Sequence, residues 1–297
     1  MSLQAITTPH GFRVRRDEAL IEVTGDDAAS WLQGQLTNDV RNAQEGTAVY
    51  ALVIDVKGKV ISDLWVYRWG DDAFLLAVPV DRRDPVLERL DAFVIMEDVE
   101  LAPRPDLVTV SVLGDDEAVD GAALPEGIRM FASERFPGCP GQDWILDEGD
   151  LDACRAALRR KRPELDEAAW ERLRLASGAP RFGVDFDHRH FPQEAGLRDR
   201  AVSFDKGCYL GQEVVCMLEM RGKLKRRLVR VRGDGPPGER GARLVSEDDR
   251  VVGALGSSAE DPHRPGTFWA FALLEADLAR PGGQVRAGDA VLEVVDG

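Results

Sequence analysis

Residues 48–80, AVYALVIDVKGKVISDLWVYRWGDDAFLLAVPV, constrain the fold more than any other stretch of this chain. Three runs rich in Val, Ile, Leu and aromatic residues are separated only by VKGK and WGDDA, short segments with the Gly and Asp chemistry of tight turns. A tight turn joins antiparallel neighbours, because a parallel pair needs a crossover of a dozen or more residues. The stretch therefore predicts a meander of consecutive antiparallel strands.

The flanking residues extend this pattern. ALIEVTG (19–25) reads as a strand, and DDAASWLQGQLTNDV (26–40) as a short helix. In that helix Asp26 or Asp27 is placed to cap, and Trp31, Leu32 and Leu36 give one apolar face. DPVLERLDAFVI (84–95) predicts a helix with Asp84 as N-cap and Pro85 at its first position. Val86, Leu90, Phe93 and Val94 form its apolar stripe. Strands are expected around VELA (99–102), LVTVSVLG (107–114) and WILD (144–147). Between Asp115 and Gly141 the chain is turn-rich, with IRMF (128–131) as its one strand signal. Two helices follow, LDACRAALRRKR (151–162) and DEAAWERLRLASG (166–178), the second capped by Asp166 and stopped by Gly178. Residues 178–213 show little periodicity, and long irregular segments in compact proteins are often functional. After Arg226, short apolar runs alternate with Gly, Pro and Asp turns, the pattern of a small barrel or sandwich.

Composition excludes several function classes. The chain has 297 residues, 44% apolar, with a formal net charge of −15. The apolar fraction is enough for a sizeable core. The acidic balance argues against direct binding to a nucleic-acid backbone or an anionic membrane, both of which need a cationic surface. The opening MSLQAITTPHGFRVRRDEAL has no apolar signal core, and no apolar run is long enough to span a bilayer. The expectation is a cytoplasmic protein whose four cysteines are reduced. They form no CxxC pair, so no resident metal is expected. No Walker or GxGxxG pattern indicates a nucleotide fold.

The chemistry-bearing stretch is KGCYLGQE, residues 206–213. Lys206 precedes Cys208, and Arg221, Lys223, Lys225, Arg226 and Arg227 follow as a basic cluster in an acidic chain. Nearby cations favour the thiolate, as does a helix N-terminus if GQEVVCMLEM is helical. Residue chemistry alone leaves three readings of Cys208 open: a reactive thiol, a small residue buried in a tight turn, or a metal ligand. Asp55 and Lys57 suit either ligand contact or a solvated turn. Arg174 and Glu194 suit either paired hydrogen bonds to a polar heterocycle or an Arg–carboxylate pair that holds the irregular segment. Trp65 and Trp69 read as packing.

KGCYLGQE resembles the signature of the YgfZ family, folate-binding proteins related to the glycine cleavage T-protein, an aminomethyltransferase. WLQGQLTNDV, IDVKGKVISDLWVYR and RLRLASGAPRFGVDF…FPQEAGL resemble the family's flanking segments, so the similarity covers most of residues 20–230. The resemblance implies an α+β fold. A discontinuous folate-binding region of antiparallel sheets and helices would occupy 1–225, with room for two interleaved subdomains, and a C-terminal β-barrel 226–297. It implies binding of tetrahydrofolate or a derivative, and transient partnership with iron–sulfur enzymes, including a tRNA-thiolating one, whose assembly or repair it supports. Cys208 matches the motif cysteine and Lys206 the motif lysine, and Arg174 and Glu194 are the candidates for holding folate. The alternative is folate-dependent aminomethyl or one-carbon transfer, the expected chemistry if the chain is an enzyme. A third is a folate sensor without chemistry. Met217 stands where relatives carry an arginine. PGCPGQDW lacks the glutamate of the T-protein's folate clamp.

Overall fold

The computed structural model describes residues 10–114, 124–236, 238–261 and 263–296. The chain divides into two compact units that do not follow chain order. The first takes in 1–53, 61–167 and 205–210, the second 54–60, 168–204 and 211–297.

In chain order the first unit begins with β1 (Gly11–Val14), β2 (Glu18–Thr24), α1 (Ala28–Gln35), β3 (Ala48–Ile54), β4 (Val60–Gly70) and β5 (Ala73–Pro79). It continues with α2 (Arg83–Asp91), β6 (Glu100–Pro103), β7 (Leu107–Leu113), β8 (Arg129–Phe136), β9 (Cys139–Asp147) and α3 (Leu151–Arg159). One antiparallel sheet has the order β3-β4-β5-β2-β6, with the expected meander β3-β4-β5 along one side. Alternate residues Leu64 and Val66 of β4, and Phe74, Leu76 and Val78 of β5, pack with Trp31, Leu32, Val86 and Leu90 of the helices. The period of two selects one face of the sheet for the helices to cover. The second sheet, β1-β7-β9-β8, packs Phe12, Val110 and Trp144 against Leu151, Cys154 and Leu158 of α3.

Several boundaries differ from the sequence expectation. Helix α1 stops at Gln35 because Leu36 turns extended and bridges Val53, and the Leu52 N–H then donates to the Thr37 hydroxyl at 3.0 Å. Asp27 occupies the N-cap position, yet its carboxylate accepts the Asp98 N–H rather than a helix N–H. Asp84 is not the cap of α2. A preceding 3₁₀ turn, Val80–Arg82, runs into the helix, which puts Asp84 in the first turn, exposed and paired with Arg83. The helix ends at Asp91, so Phe93 and Val94 lie beyond it, where the Phe93 carbonyl accepts the Trp31 indole N–H at 3.0 Å. The turn-rich region holds more strand than expected: β8 and β9 form a hairpin whose PGCPG composition masks its pairing. Residues 115–123 of that region lie outside the described residues.

The second unit contains α4 (Glu167–Ser177), whose first residue belongs to the first unit, then α5 (Arg198–Ala201) and α6 (Gln212–Arg221). The strands β10 (Arg226–Asp234), β11 (Arg243–Val245), β12 (Val251–Glu260), β13 (Thr267–Glu275), β14 (Gln284–Ala287) and β15 (Ala290–Asp296) follow. They close into a barrel, β10-β13-β12-β11-β14-β15, filled by residues such as Val231, Leu255, Phe268, Leu274 and Leu292. Closure removes exposed edges, which resolves the barrel-or-sandwich choice. Gly178, at φ 79°, ends α4 as expected: its N–H reaches the Leu175 carbonyl and the Ala179 N–H reaches Arg174 O. This paired closure is the Schellman pattern. Among the described residues, no helix is long and apolar enough to cross a membrane.

Candidate functional site

Cys208 lies on a turn of the first unit, residues 205–210, pinned to the end of α1. The Leu210 N–H donates to the Gly34 carbonyl at 3.1 Å. The Lys206 ammonium is buried and donates to the carbonyls of Leu36 and Asn38, each at 2.7 Å. Carbonyls at and past a helix end lack intrahelical partners, so a cation there satisfies them twice over. Burial pushes the Lys206 amine down to about 8, with Asp39 opposing and Arg41 adding to the shift. The nitrogen also sits 5.3 Å from the ring of Tyr209, which is buried. Lys206 and Tyr209 thus face inward and anchor the turn, while Cys208 between them is exposed. A Cβ added at Gly207 would meet nothing within 4 Å. Cys139 and Cys154 are buried, and burial pushes the Cys154 thiol up to about 11. Cys216 is half-buried on α6, the helix that GQEVVCMLEM forms.

Arg174 and Glu194 are both in the second unit, each bound to other partners. Arg174 Nε and Nη2 bond the Glu171 carboxylate at 3.0 and 2.8 Å. Nη1 bonds Asp185 and the Ala179 carbonyl, each at 2.7 Å, and Nη2 also bonds Ser257 at 2.6 Å. A guanidinium has five N–H donors, and these contacts use them all. Asp185 belongs to the irregular segment, so the contacts tie that segment to α4 and the barrel. Glu194 Oε2 accepts the Phe191 N–H at 2.9 Å and faces Lys59 Nζ at 3.4 Å. Asp55 caps its own turn, accepting the Lys57 and Lys59 N–H groups at 2.8 Å.

Sequence reasoning missed a buried polar cluster in the first unit. Asp63, on β4, accepts the Tyr50 hydroxyl at 2.8 Å through Oδ2. Its Oδ1 is buried and has no hydrogen-bond partner among the described residues. Burial pushes this carboxyl up to about 6 against the opposing Tyr50 hydrogen bond. Trp65 packs at 5.1 Å from the Tyr50 ring and 4.9 Å from the Arg135 guanidinium. Arg135 pairs with Asp143 at 2.9 Å and with Glu18 at 3.0 Å, and Tyr67 and Ser111 donate to Asp143. The one sequence signal was an aspartate inside the apolar strand run ISDLWVY. Tyr50 lies on the neighbouring strand β3, but Glu18, Arg135 and Asp143 come from strands far away in the chain, and no local pattern links them to Asp63.

Comparison with known proteins places this architecture. Residues 17–114 match the model of the GCVT N-terminal domain family. The tRNA-modifying protein YgfZ of Klebsiella pneumoniae (strain 342) is 32% identical over 224 residues, covering 71% of this chain and 68% of that protein. The chain belongs to the YgfZ family. Another YgfZ protein, from Yersinia pseudotuberculosis, is 28% identical over 302 aligned positions, covering 94% of this chain and 86% of the relative. The YgfZ chain also shares its fold with the crystal structure of glycine cleavage system aminomethyltransferase T from Bartonella henselae. The TM-score is 0.84 at 20% identity, over 98% of this chain and 86% of that one. The family resemblance carried by KGCYLGQE and its flanks is thereby borne out.

Proposed function

We propose that this chain is a folate-binding accessory protein that supports assembly or repair of iron–sulfur enzymes through Cys208. The observation that carries the reading is the presentation of that thiol, exposed on a turn that Lys206 and Leu210 anchor. The relatives' name, tRNA-modifying protein, fits an indirect route through an iron–sulfur enzyme that thiolates tRNA. A net charge of −15 disfavours direct contact with the RNA backbone. In thiol–disulfide exchange the Cys208 thiolate attacks one sulfur of a client disulfide. The new S–S bond forms as the old one breaks, and the client's other sulfur leaves as thiolate.

The residues fit a reduced folate. A pterin presents N–H donors, and Asp63 Oδ1 is a buried acceptor for which the described residues supply none. Arg174 has no donor to spare and orders the irregular segment instead. When bound, the folate would supply a carrier for one-carbon units.

Cells in which Cys208→Ala replaces the wild type are expected to lose thiolated nucleosides from tRNA, read by mass spectrometry, while calorimetric binding of tetrahydrofolate to the variant stays unchanged. Normal thiolation overturns the thiol's role. Absence of heat with every reduced folate overturns the cofactor.

Asp63 favours a second reading, folate-dependent aminomethyl transfer, because a carboxyl at about 6 exchanges protons near neutral pH. Turnover of an aminomethylated carrier that survives Cys208→Ala and collapses in Asp63→Asn would support that reading over the first.

A further inference from the structure

The end of α6 and the chain just after it carry a surface that neither the thiol nor the folate uses. Met217 and Met220 are exposed, Met220 to 79%. With Arg221 they fall at i, i+3 and i+4, which places all three on one face of the helix. Val215, away from that face, is the buried residue of α6, and Glu219 is turned aside to Arg198 at 2.7 Å. Lys223, Lys225 and Arg226 follow, all exposed. Among the described residues, none of these four cations has a carboxylate partner.

These cations cluster in a chain that is acidic overall. Aspartate and glutamate number 53 against 38 lysines and arginines. Many arginines elsewhere are paired with carboxylates, as Arg104 is with Glu22 and Asp106, Arg155 and Arg159 with Glu164, and Arg250 with Glu275. Four cations without a carboxylate partner among the described residues, beside two solvent-exposed thioethers, suit a partner that is both anionic and apolar. Methionine is common on surfaces that adapt to apolar partners. Complementary charge around such a patch speeds encounter and excludes wrong partners.

We propose that Met217, Met220, Arg221, Lys223, Lys225 and Arg226 form a docking surface for a protein partner that presents an acidic amphipathic helix. A polynucleotide fits less well. Its phosphodiester backbone offers nothing to the two methionines, and the net charge of −15 repels an extended polyanion. A short acidic helix needs only the local cations, which act within a screening length of about 8 Å. The surface depends on neither Cys208 nor folate, so its failure would leave the proposed function standing.

The test uses the full chain and three probes: a fluorescein-labelled peptide with Glu on one helical face and Leu on the other, polyglutamate, and a tRNA transcript. The amphipathic peptide is expected to bind best, with backbone amide shifts concentrated in residues 212–227. The pair Lys223→Glu and Lys225→Glu should weaken it about tenfold, and the pair Met217→Ser and Met220→Ser about as much. All four side chains are exposed, so thermal midpoints matching the wild type confirm that the variants fold. No binding of the peptide overturns the proposal. So does equal binding of polyglutamate, which would remove the methionines from the site. Tighter binding of the tRNA transcript, lost on charge reversal, would assign the surface to nucleic acid instead.

Discussion

Asp63 holds its two oxygens in unlike surroundings, one bonded to Tyr50 and the other buried with no hydrogen-bond partner among the described residues. Burial raises its pKa from 3.8 to about 6. Between those values the folded state binds more protons than the unfolded chain. This group's contribution to stability is therefore full below 3.8 and is lost as pH rises through about 6. Across that window Asp63→Asn is expected to gain about 2–3 kcal/mol relative to the wild type. Urea denaturation at pH 4, 5, 6 and 7 measures the difference, and a flat profile would show that the carboxyl is not raised. The cysteines differ as sharply. Iodoacetamide should modify Cys208 in the native protein first and half-buried Cys216 more slowly, with Cys139 and Cys154 reacting only after unfolding. Peptide mass spectrometry over time reads that order. KGCYLGQE made Cys208 legible as a candidate, because a cysteine among polar and glycine residues stands out locally. Asp63 was not legible, because its character comes from Tyr50, Trp65 and the burial around them.

At the level of elements, two devices hold the segments around the motif. Gly211 caps α6 at φ 80°, and a Cβ there would lie 2.3 Å from the Asp55 carbonyl oxygen. Gly211→Ala is expected to destabilise the protein by at least about 1–3 kcal/mol from backbone strain alone. Arg174 ties α4 to Asp185 and Ser257. Truncating it leaves the Asp185 carboxylate buried and short of its cation, at a cost of about 3–5 kcal/mol. Thermal denaturation of Arg174→Ala should show that loss, whereas an unchanged midpoint with weakened folate binding would return Arg174 to the ligand. The end of α4 was readable because Gly178 is a local signal. The starts of α1 and α2 were misread at the cap, because Asp27 had a competing donor in Asp98 and Asp84 a preceding 3₁₀ turn.

Across the whole molecule, the second unit draws on residues 54–60 and 168–204 as well as the barrel. Leu175 of α4 packs with Leu228 and Phe271 of the barrel. A chain ended at residue 225 would remove those partners and the Ser257 hydroxyl that Arg174 holds. Residues 168–204 of that fragment are expected to be cut by trypsin far faster than in the full chain, read by peptide mapping. Equal resistance would show that the barrel does not support the segment.

The amino-acid sequence alone determined the meander, the end of α4, the barrel-like tail and the family, because each is written in contiguous residues. Turn chemistry, a period of two and an eight-residue signature all act locally. Tertiary structure alone decided which polar side chains are buried and with whom. It turned Lys206 inward against Leu36 and Asn38, used all the donors of Arg174, and left one Asp63 oxygen without a partner among the described residues. Burial depends on segments far apart in the chain meeting in space. The desolvation that shifts a pKa, or consumes a donor, exists only once they have met.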